Sequence, residues 1–94
     1  MKVITLCGSI KFKDDFLKLQ KELTLKGNVV LIPNFFDDVT YTSEIKNLLG
    51  LIHKKKIEIS DEVFIINKNR YIGETTHNEI EYAKSLNKPV FYLE

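Results

Sequence analysis

Four short apolar runs constrain the fold of this chain more than any other feature of its 94 residues. They lie at Val3 to Cys7, Val29 to Ile32, Glu62 to Asn67 and Val90 to Leu93. Because the runs are continuous rather than alternating with polar residues, they are typical of strands buried on both faces of a parallel sheet. Helical stretches separate them. The sequence therefore predicts a βαβαβαβ order and an α/β fold, a three-layer doubly wound parallel sheet (flavodoxin or Rossmann-like) forming a single domain over residues 1–94.

Apolar residues at helical spacing predict three helices between the strands. The first helix has a stripe of four such residues: Phe12, Phe16, Leu19 and Leu23. It ends at Gly27, since glycine commonly terminates helices. The second spans Ile45 to Ile59 and the third about Thr76 to Leu86. Residues 34–42 show no period, so we expect a loop, with aromatic residues at Phe35, Phe36 and Tyr41.

The connections predict where a ligand would bind. Right-handed crossovers favour strand order 2-1-3-4, with a switch point between strands one and three. In open α/β sheets, ligands bind at the carboxyl ends of the strands beside that point. The loops there are Gly8 to Lys13 and Asn67 to Thr76, so we expect the site between them.

Composition excludes several classes of partner. Fourteen basic and thirteen acidic residues give a net charge of +1, which favours neither a nucleic acid polymer nor a membrane surface. The apolar N-terminus is too short for a signal peptide, and the lone cysteine fits a reducing, cytoplasmic compartment. Dinucleotide and phosphate-loop glycine motifs are absent, so we expect no cofactor. The two histidines and the cysteine are widely separated in sequence, so we also expect no metal site.

Glu79 is the residue of helix three that most invites a functional interpretation. It shares a helix face with Ala83 and Leu86, which mark that face as the one turned to the core. A carboxylate there is costly unless it is paired or used. The alternative is a capping box, in which the side chains of Thr76 and Glu79 satisfy backbone N–H groups at the helix start. Spacing alone leaves both interpretations open.

The loops at the switch point have similar alternatives. Gly8 and Ser9 could present free N–H groups to an anion or a sugar hydroxyl, or Ser9 could simply cap the next helix. Gly73, Thr75 and Thr76 can present hydroxyl and N–H groups to a ligand in either case.

Cys7 and His53 are both expected to have structural roles. Small phosphatases of this architecture use a cysteine after strand one with an arginine six positions on, but here that position is Lys13. A buried, hydrophobic cysteine is therefore favoured. His53 belongs to a basic stretch with Lys54 to Lys56, so a partly exposed histidine on a solvated helix face is favoured.

Three short motifs carry a resemblance to a known family. They are Cys7-Gly8-Ser9, Ser60-Asp61-Glu62-Val63 and Thr76-x-x-Glu79-Ile80-x-Tyr82-Ala83. Together they resemble the nucleoside 2-deoxyribosyltransferase-like proteins, which include the deoxynucleoside 5'-monophosphate N-glycosidases. The resemblance runs nearly from end to end and implies N-glycosidic bond cleavage or transfer on a small-molecule nucleoside or nucleotide.

The resemblance also implies roles for individual residues. Glu79 takes the position of the nucleophile that attacks the anomeric carbon, and we expect the positive end of helix three to keep it ionised. Counting back from Asp61 to the family's acid/base position lands on His53. The resemblance implies substrate contacts at Gly8, Ser9, Gly73 and Thr75. We add Asn67 and Thr76 as predicted substrate-binding residues because they lie in the loop at the switch point.

Two further expectations concern assembly and activity. The chain is shorter than the transferases, so we expect the aromatic loop to contribute to a homodimer that completes the pocket. The alternative to an enzyme is a non-catalytic nucleotide-binding module on the same scaffold.

Overall fold

A four-stranded parallel sheet forms the centre of the protein, in a computed structural model that describes residues 1–94. Its strand order is β2-β1-β3-β4, as predicted, with every neighbouring pair parallel. The strands are β1 (Val3–Gly8), β2 (Val29–Leu31), β3 (Glu62–Ile66) and β4 (Val90–Tyr92). The two central strands form the longest pairing, which runs from Ile4 opposite Glu62 to Gly8 opposite Ile66.

Helices cover both faces of the sheet, so the predicted three-layer α/β architecture is confirmed. They are α1 (Lys13–Leu25), α2 (Ser43–Ile59) and α3 (Glu74–Ser85). Short 3₁₀ turns at Ile10–Phe12 and Lys68–Arg70 precede α1 and α3. None of the helices is both long and apolar enough to cross a bilayer.

Side-chain alternation along β1 assigns each helix to its face. Ile4 and Leu6 pack with Phe16 of α1 on one face of the sheet. On the other face, β1 and β3 contribute three buried residues: Cys7, Val63 and Ile65. These pack with Ile57 of α2 and with Ile80 and Ala83 of α3. Cys7 therefore lies on the side of the sheet that α2 and α3 cover.

Most element boundaries differ from the prediction by one or two residues, as three elements illustrate. Helix α3 begins at Glu74, two residues before Thr76, with Gly73 as its N-cap. β2 covers only Val29–Leu31, and the 3₁₀ turn before α1 takes up the predicted start of the first helix. Local spacing does not define these ends, because the same residues can begin a helix at any of several neighbouring positions. Residues 34–42 contain no helix or strand, as predicted.

Gly8 is required by the close approach of β1 and β3, and its replacement tests that packing. A Cβ at Gly8 would lie 2.7 Å from the Ile66 carbonyl oxygen and 3.1 Å from Cζ of Phe16. We expect Gly8→Ala to lower the free energy of unfolding in urea by about 1–3 kcal/mol, because backbone and ring must both move. Gly50→Ala is the matched control: its Cβ would meet nothing within 4 Å. In a helix interior that change should stabilise by about 0.5–1 kcal/mol. Equal stability of Gly8→Ala and the wild type would contradict this account.

Candidate functional site

An open cavity of about 920 Å³ lies at the carboxyl end of β1, beside the loops that follow β2 and β3, where the topology predicts a ligand site. Gly8 and Ser9 line one side of it, and the first turn of α3 lines another. The loop of residues 34–42 and one face of α2 complete the wall. The cavity is therefore bounded by four segments that are distant in sequence.

Three polar side chains meet where the cavity touches the apolar layer: Cys7, His53 and Glu79. Cys7 is completely buried, and the side chains of His53 and Glu79 are 8% and 17% exposed. The Cys7 Sγ lies 3.3 Å from His53 Nε2, which in turn lies 3.9 Å from Glu79 Oε2. One donor atom from each residue lies within 4.8 Å of the other two.

Helix geometry explains why these side chains meet. His53 precedes the buried Ile57 by four residues in α2, and Glu79 precedes the buried Ala83 by four residues in α3. Residues four apart share a helix face, so each polar side chain lies one turn beyond a core residue. Because α2 and α3 both pack on the face of β1 that carries Cys7, the three groups converge.

Burial shifts the acid–base chemistry of all three groups. It raises the pKa of Glu79 to about 7, with the neighbouring Cys7 thiol opposing the rise. Burial, together with the positive charge of Lys56, lowers the pKa of His53 to about 4. Burial and then the charge of Glu79 raise the pKa of the Cys7 thiol well above its usual value. Although His53 and Glu79 are within ion-pair distance, desolvation thus disfavours the charged form of each.

The expectation that helix three keeps Glu79 ionised is therefore wrong. Glu79 is the sixth residue of α3 rather than a first-turn residue, and the favourable effect of a helix N-terminus falls off within the first turn. Burial is the larger effect at this position.

The capping-box alternative for Thr76 and Glu79 is also wrong. The N-cap of α3 is Gly73, and no side chain caps the helix. Thr76 is the third residue inside the helix and is almost completely buried. Ser9, in contrast, does cap the turn before α1, accepting a hydrogen bond from the Lys11 N–H at 3.4 Å.

The structure contradicts the expectation that His53 lies partly exposed on a solvated helix face. His53 is only 7% exposed, and its Nδ1 is buried without a hydrogen-bond partner. It also contacts Cys7, although 46 residues separate the two in sequence. The spacing of Leu49, His53 and Ile57, four residues apart on one helix face, is the signal that could have placed it correctly.

Five of the six predicted substrate-binding residues line the cavity: Gly8, Ser9, Gly73, Thr75 and Thr76. The sixth, Asn67, does not. The Asn67 side chain instead pairs with the backbone of Glu94. Its Nδ2 donates to the Glu94 carbonyl at 3.1 Å, and its Oδ1 accepts from the Glu94 N–H at 2.8 Å. The amide is thus occupied in holding the chain beyond β4, so the expectation of a ligand contact at Asn67 is corrected.

Lysines and aromatic residues of the cavity wall were not predicted as site residues. Lys13, Lys46 and Lys56 line it, and Lys56 is half-buried rather than on the solvated face expected for Lys54 to Lys56. Its Nζ donates to the Ile32 carbonyl at 2.8 Å. The aromatic loop belongs to the same wall: Phe35 packs on Phe16 with ring centroids 5.5 Å apart, and Phe36 and Tyr41 also line the cavity.

Cys7 does not resemble a phosphatase nucleophile in its surroundings. A reactive cysteine needs a lowered pKa and partial exposure. Cys7 is completely buried, and its pKa is raised. The prediction of a buried cysteine is confirmed.

Comparison with known proteins identifies the fold. No family model and no curated sequence matches the chain. Among solved structures, it is similar to the 2-deoxyribosyltransferase of Bacillus psychrosaccharolyticus, with a TM-score of 0.76 and 20% identity over 96% of this chain and 70% of that one. It is also similar to the 2-deoxyribosyltransferase of Leishmania mexicana, with a TM-score of 0.72 and 20% identity over 98% of this chain and 63% of that one. The chain therefore has the fold of these enzymes and spans about two thirds of their length.

The burial of Glu79 predicts a pH-dependent difference in stability between the wild type and Glu79→Gln. Unfolded Glu79 titrates near 4.5 and folded Glu79 near 7. Between these pH values, Glu79 is ionised in the unfolded chain but still protonated in the folded protein. The free energy of unfolding of the wild type therefore falls as the pH rises. Glutamine cannot ionise. In chelator-treated samples, we expect the variant to gain up to about 3 kcal/mol over the wild type between pH 4.5 and pH 7.5.

The measurement is urea unfolding of both proteins across this pH range. Glu81→Gln on the exposed side of α3 is the matched control, for which the difference should stay flat. A flat difference for Glu79→Gln as well would show that its carboxyl group is not desolvated.

Proposed function

We propose that this protein cleaves or transfers the N-glycosidic bond of a nucleoside or nucleotide, with Glu79 as the nucleophile. The observation that carries the proposal is one shielded carboxylate at the cavity wall, beside the carboxyl ends of the central strands. The other two carboxylates of the wall belong to Asp37 and Glu74, which are exposed. The likeness in fold to two 2-deoxyribosyltransferases supports this class of reaction.

The proposed chemistry uses the carboxylate of Glu79 in two steps. An oxygen lone pair attacks the anomeric carbon of the sugar as the bond to the base breaks, which leaves a glycosyl ester on Glu79. Water or a second base then attacks the same carbon, loses a proton to His53 and releases the carboxylate. The transition states resemble an oxocarbenium ion, which a nearby carboxylate stabilises.

His53 is the proposed partner of Glu79 in proton transfer. It lines the cavity, and its Nε2 lies 3.9 Å from the Glu79 carboxylate. The leaving base needs a proton as its bond to the sugar breaks, and the Glu79 carboxyl group, whose pKa burial raises to about 7, can supply it. Glu79 passes this proton to His53 as it becomes the attacking carboxylate, and the imidazolium then donates it to the base. His53 therefore takes the place that an acidic residue holds in the family which the sequence resembles.

The remaining wall offers contacts for the rest of a nucleotide. The first-turn N–H groups of α3 have no helical partner and adjoin the cavity at Gly73, Thr75 and Thr76. Such groups bind a phosphate or sugar hydroxyl, and the three wall lysines add positive charge. Phe36, Tyr41 and Tyr71 offer faces on which a base could stack. These features support a nucleoside or its 5'-monophosphate as the substrate.

One observation favours the second candidate, a non-catalytic nucleotide-binding module. Burial raises the pKa of Glu79, which reduces the carboxylate available for attack near neutral pH. Such a module would be stabilised by nucleotides without releasing any base. The two candidates therefore differ in turnover and not in binding.

The enzymatic proposal predicts base release that depends on Glu79. We expect chromatography to detect free base when the chelator-treated protein is incubated with a panel of 2'-deoxynucleosides and their 5'-monophosphates, with and without a second base. Glu79→Gln should lower the rate at least about 1000-fold, because the nucleophile is removed. His53→Asn should lower it about 100-fold. Glu81→Gln, on the exposed side of the same helix, should match the wild type.

The outcome decides between the two candidates. Turnover retained in Glu79→Gln would show that Glu79 is not the nucleophile. Thermal stabilisation by a nucleotide of the panel, without free base from any member, would instead establish the binding module.

A homodimer is the proposed assembly, and exposed apolar residues beside the cavity support it. They belong to the aromatic loop and to α2: Phe36, Tyr41, Leu48, Leu51 and Ile52. We expect light scattering at micromolar concentration to give the mass of a dimer, and Leu51→Glu to give a monomer, because the new charge would be buried at the contact. Leu25→Glu is the matched control at an exposed leucine of α1 and should remain dimeric. A monomeric wild type would contradict the proposal.

A further inference from the structure

We propose that Cys7, His53 and Glu79 form a binding site for a single thiophilic divalent cation, with Zn²⁺ as the best fit, whose fourth ligand comes from the cavity. The three groups supply a sulfur, an imidazole nitrogen and a carboxylate oxygen from three different elements of the fold. This donor set is one that zinc uses in proteins. The inference does not depend on the proposed glycosyl chemistry.

The geometry fits a tetrahedral ion after small side-chain movements. With ordinary zinc–ligand lengths, the donor atoms of a tetrahedral site lie roughly 3.4–3.6 Å apart. The observed separations are 3.3 Å between Cys7 Sγ and His53 Nε2 and 3.9 Å between His53 Nε2 and Glu79 Oε2. All three donor atoms lie within 4.8 Å of one another, so closure around an ion needs at most about 1.4 Å of movement at the remaining pair, Cys7 and Glu79.

Charge neutrality is the second argument for a dication. A thiolate at Cys7 and a carboxylate at Glu79 carry two negative charges, which one divalent ion cancels. Without a cation these charges are penalised by burial, since Cys7 is completely buried and the Glu79 side chain is only 17% exposed. Binding would release their protons to solvent, as metal binding to thiol and carboxyl groups does.

The cavity supplies the open coordination position. His53 and Glu79 line the cavity wall, whereas Cys7 lies behind them in the apolar layer. An ion between them would be closed on the side of the sheet and open towards the cavity, where water or a ligand atom could bind. The soft sulfur ligand favours zinc over magnesium or calcium, which prefer oxygen ligands.

The ion should exchange rather than be held permanently. His53 Nδ1 is buried without a hydrogen-bond partner, so no outer acceptor orients the ring. Loss of such a partner typically lowers metal affinity about 10–100-fold. Because a carboxylate bound to the ion cannot attack a sugar, the ion-bound form and the proposed glycosyl-transferring form of the site exclude each other.

Cobalt substitution tests the site directly. We expect the chelator-treated full chain, kept reduced with a non-thiol reductant, to bind one Co²⁺ per chain. Binding should give a thiolate-to-cobalt charge-transfer band and the visible bands of a tetrahedral ion, and one equivalent of Zn²⁺ should abolish both. Cys7→Ser should lose the charge-transfer band. His53→Gln and Glu79→Gln should each weaken binding more than about 10-fold, since a ligand of the ion is lost. His77→Gln, at the exposed second histidine, is the matched control and should bind like the wild type.

The result is decisive for this site whatever the protein catalyses. The absence of a charge-transfer band at saturating Co²⁺ would overturn the proposal, as would a band that persists in Cys7→Ser. Urea unfolding checks that each variant is folded, and a misfolded Cys7→Ser leaves the decision to Glu79→Gln and His53→Gln. Base release is measured in chelator, so a failure of the metal site and a failure of the glycosyl chemistry appear in separate experiments.

Discussion

The close packing of β1 against β3 is the constraint on which the site depends. Gly8 lies directly opposite Ile66, at a distance that leaves no room for a side chain. The two strands therefore stay paired to their last residues, so the loops that follow β1 and β3 begin side by side. Cys7, one residue earlier, is packed on the face that α2 and α3 cover. The position of the cluster formed by Cys7, His53 and Glu79 follows from this pairing and from helix geometry. The four-residue spacing places His53 and Glu79 each one helical turn from a core residue.

Desolvation outweighs the other electrostatic influences at this position. A helix N-terminus stabilises a carboxylate by about 0.3–1 kcal/mol, and only within the first turn. The rise in the pKa of Glu79 from 4.5 to about 7 corresponds to about 3 kcal/mol in the opposite direction. Burial likewise removes the attraction expected between His53 and Glu79, because it disfavours the charged form of each. Near neutral pH, the cluster of Cys7, His53 and Glu79 in the free protein therefore carries at most one negative charge, which is that of Glu79.

The sequence predicts elements and their order well because each depends on local pattern. Continuous apolar runs predicted the four strands and four-residue spacing the three helices, and the right-handedness of crossovers then predicted the sheet order. The start of α3 depends on backbone geometry around Gly73, which spacing does not determine, and the two-residue error there produced the mistaken capping box. The contact between Cys7 and His53 joins residues 46 apart in sequence, so only the packing of α2 on β1 reveals it. Asn67 was misplaced for a similar reason, since its partner is the backbone of Glu94.

One physical feature connects the two proposals for the site. A shielded carboxyl group that loses its proton needs a positive partner, and both a divalent ion and an oxocarbenium-like sugar supply one. The two partners make different demands on the surrounding residues. A sugar needs the carboxylate and a nearby proton carrier, which Glu79 and His53 provide. An ion needs a second negative ligand to balance its charge, which only Cys7 provides within this cluster. Cys7 is thus the residue whose chemistry separates the two uses of the same carboxylate.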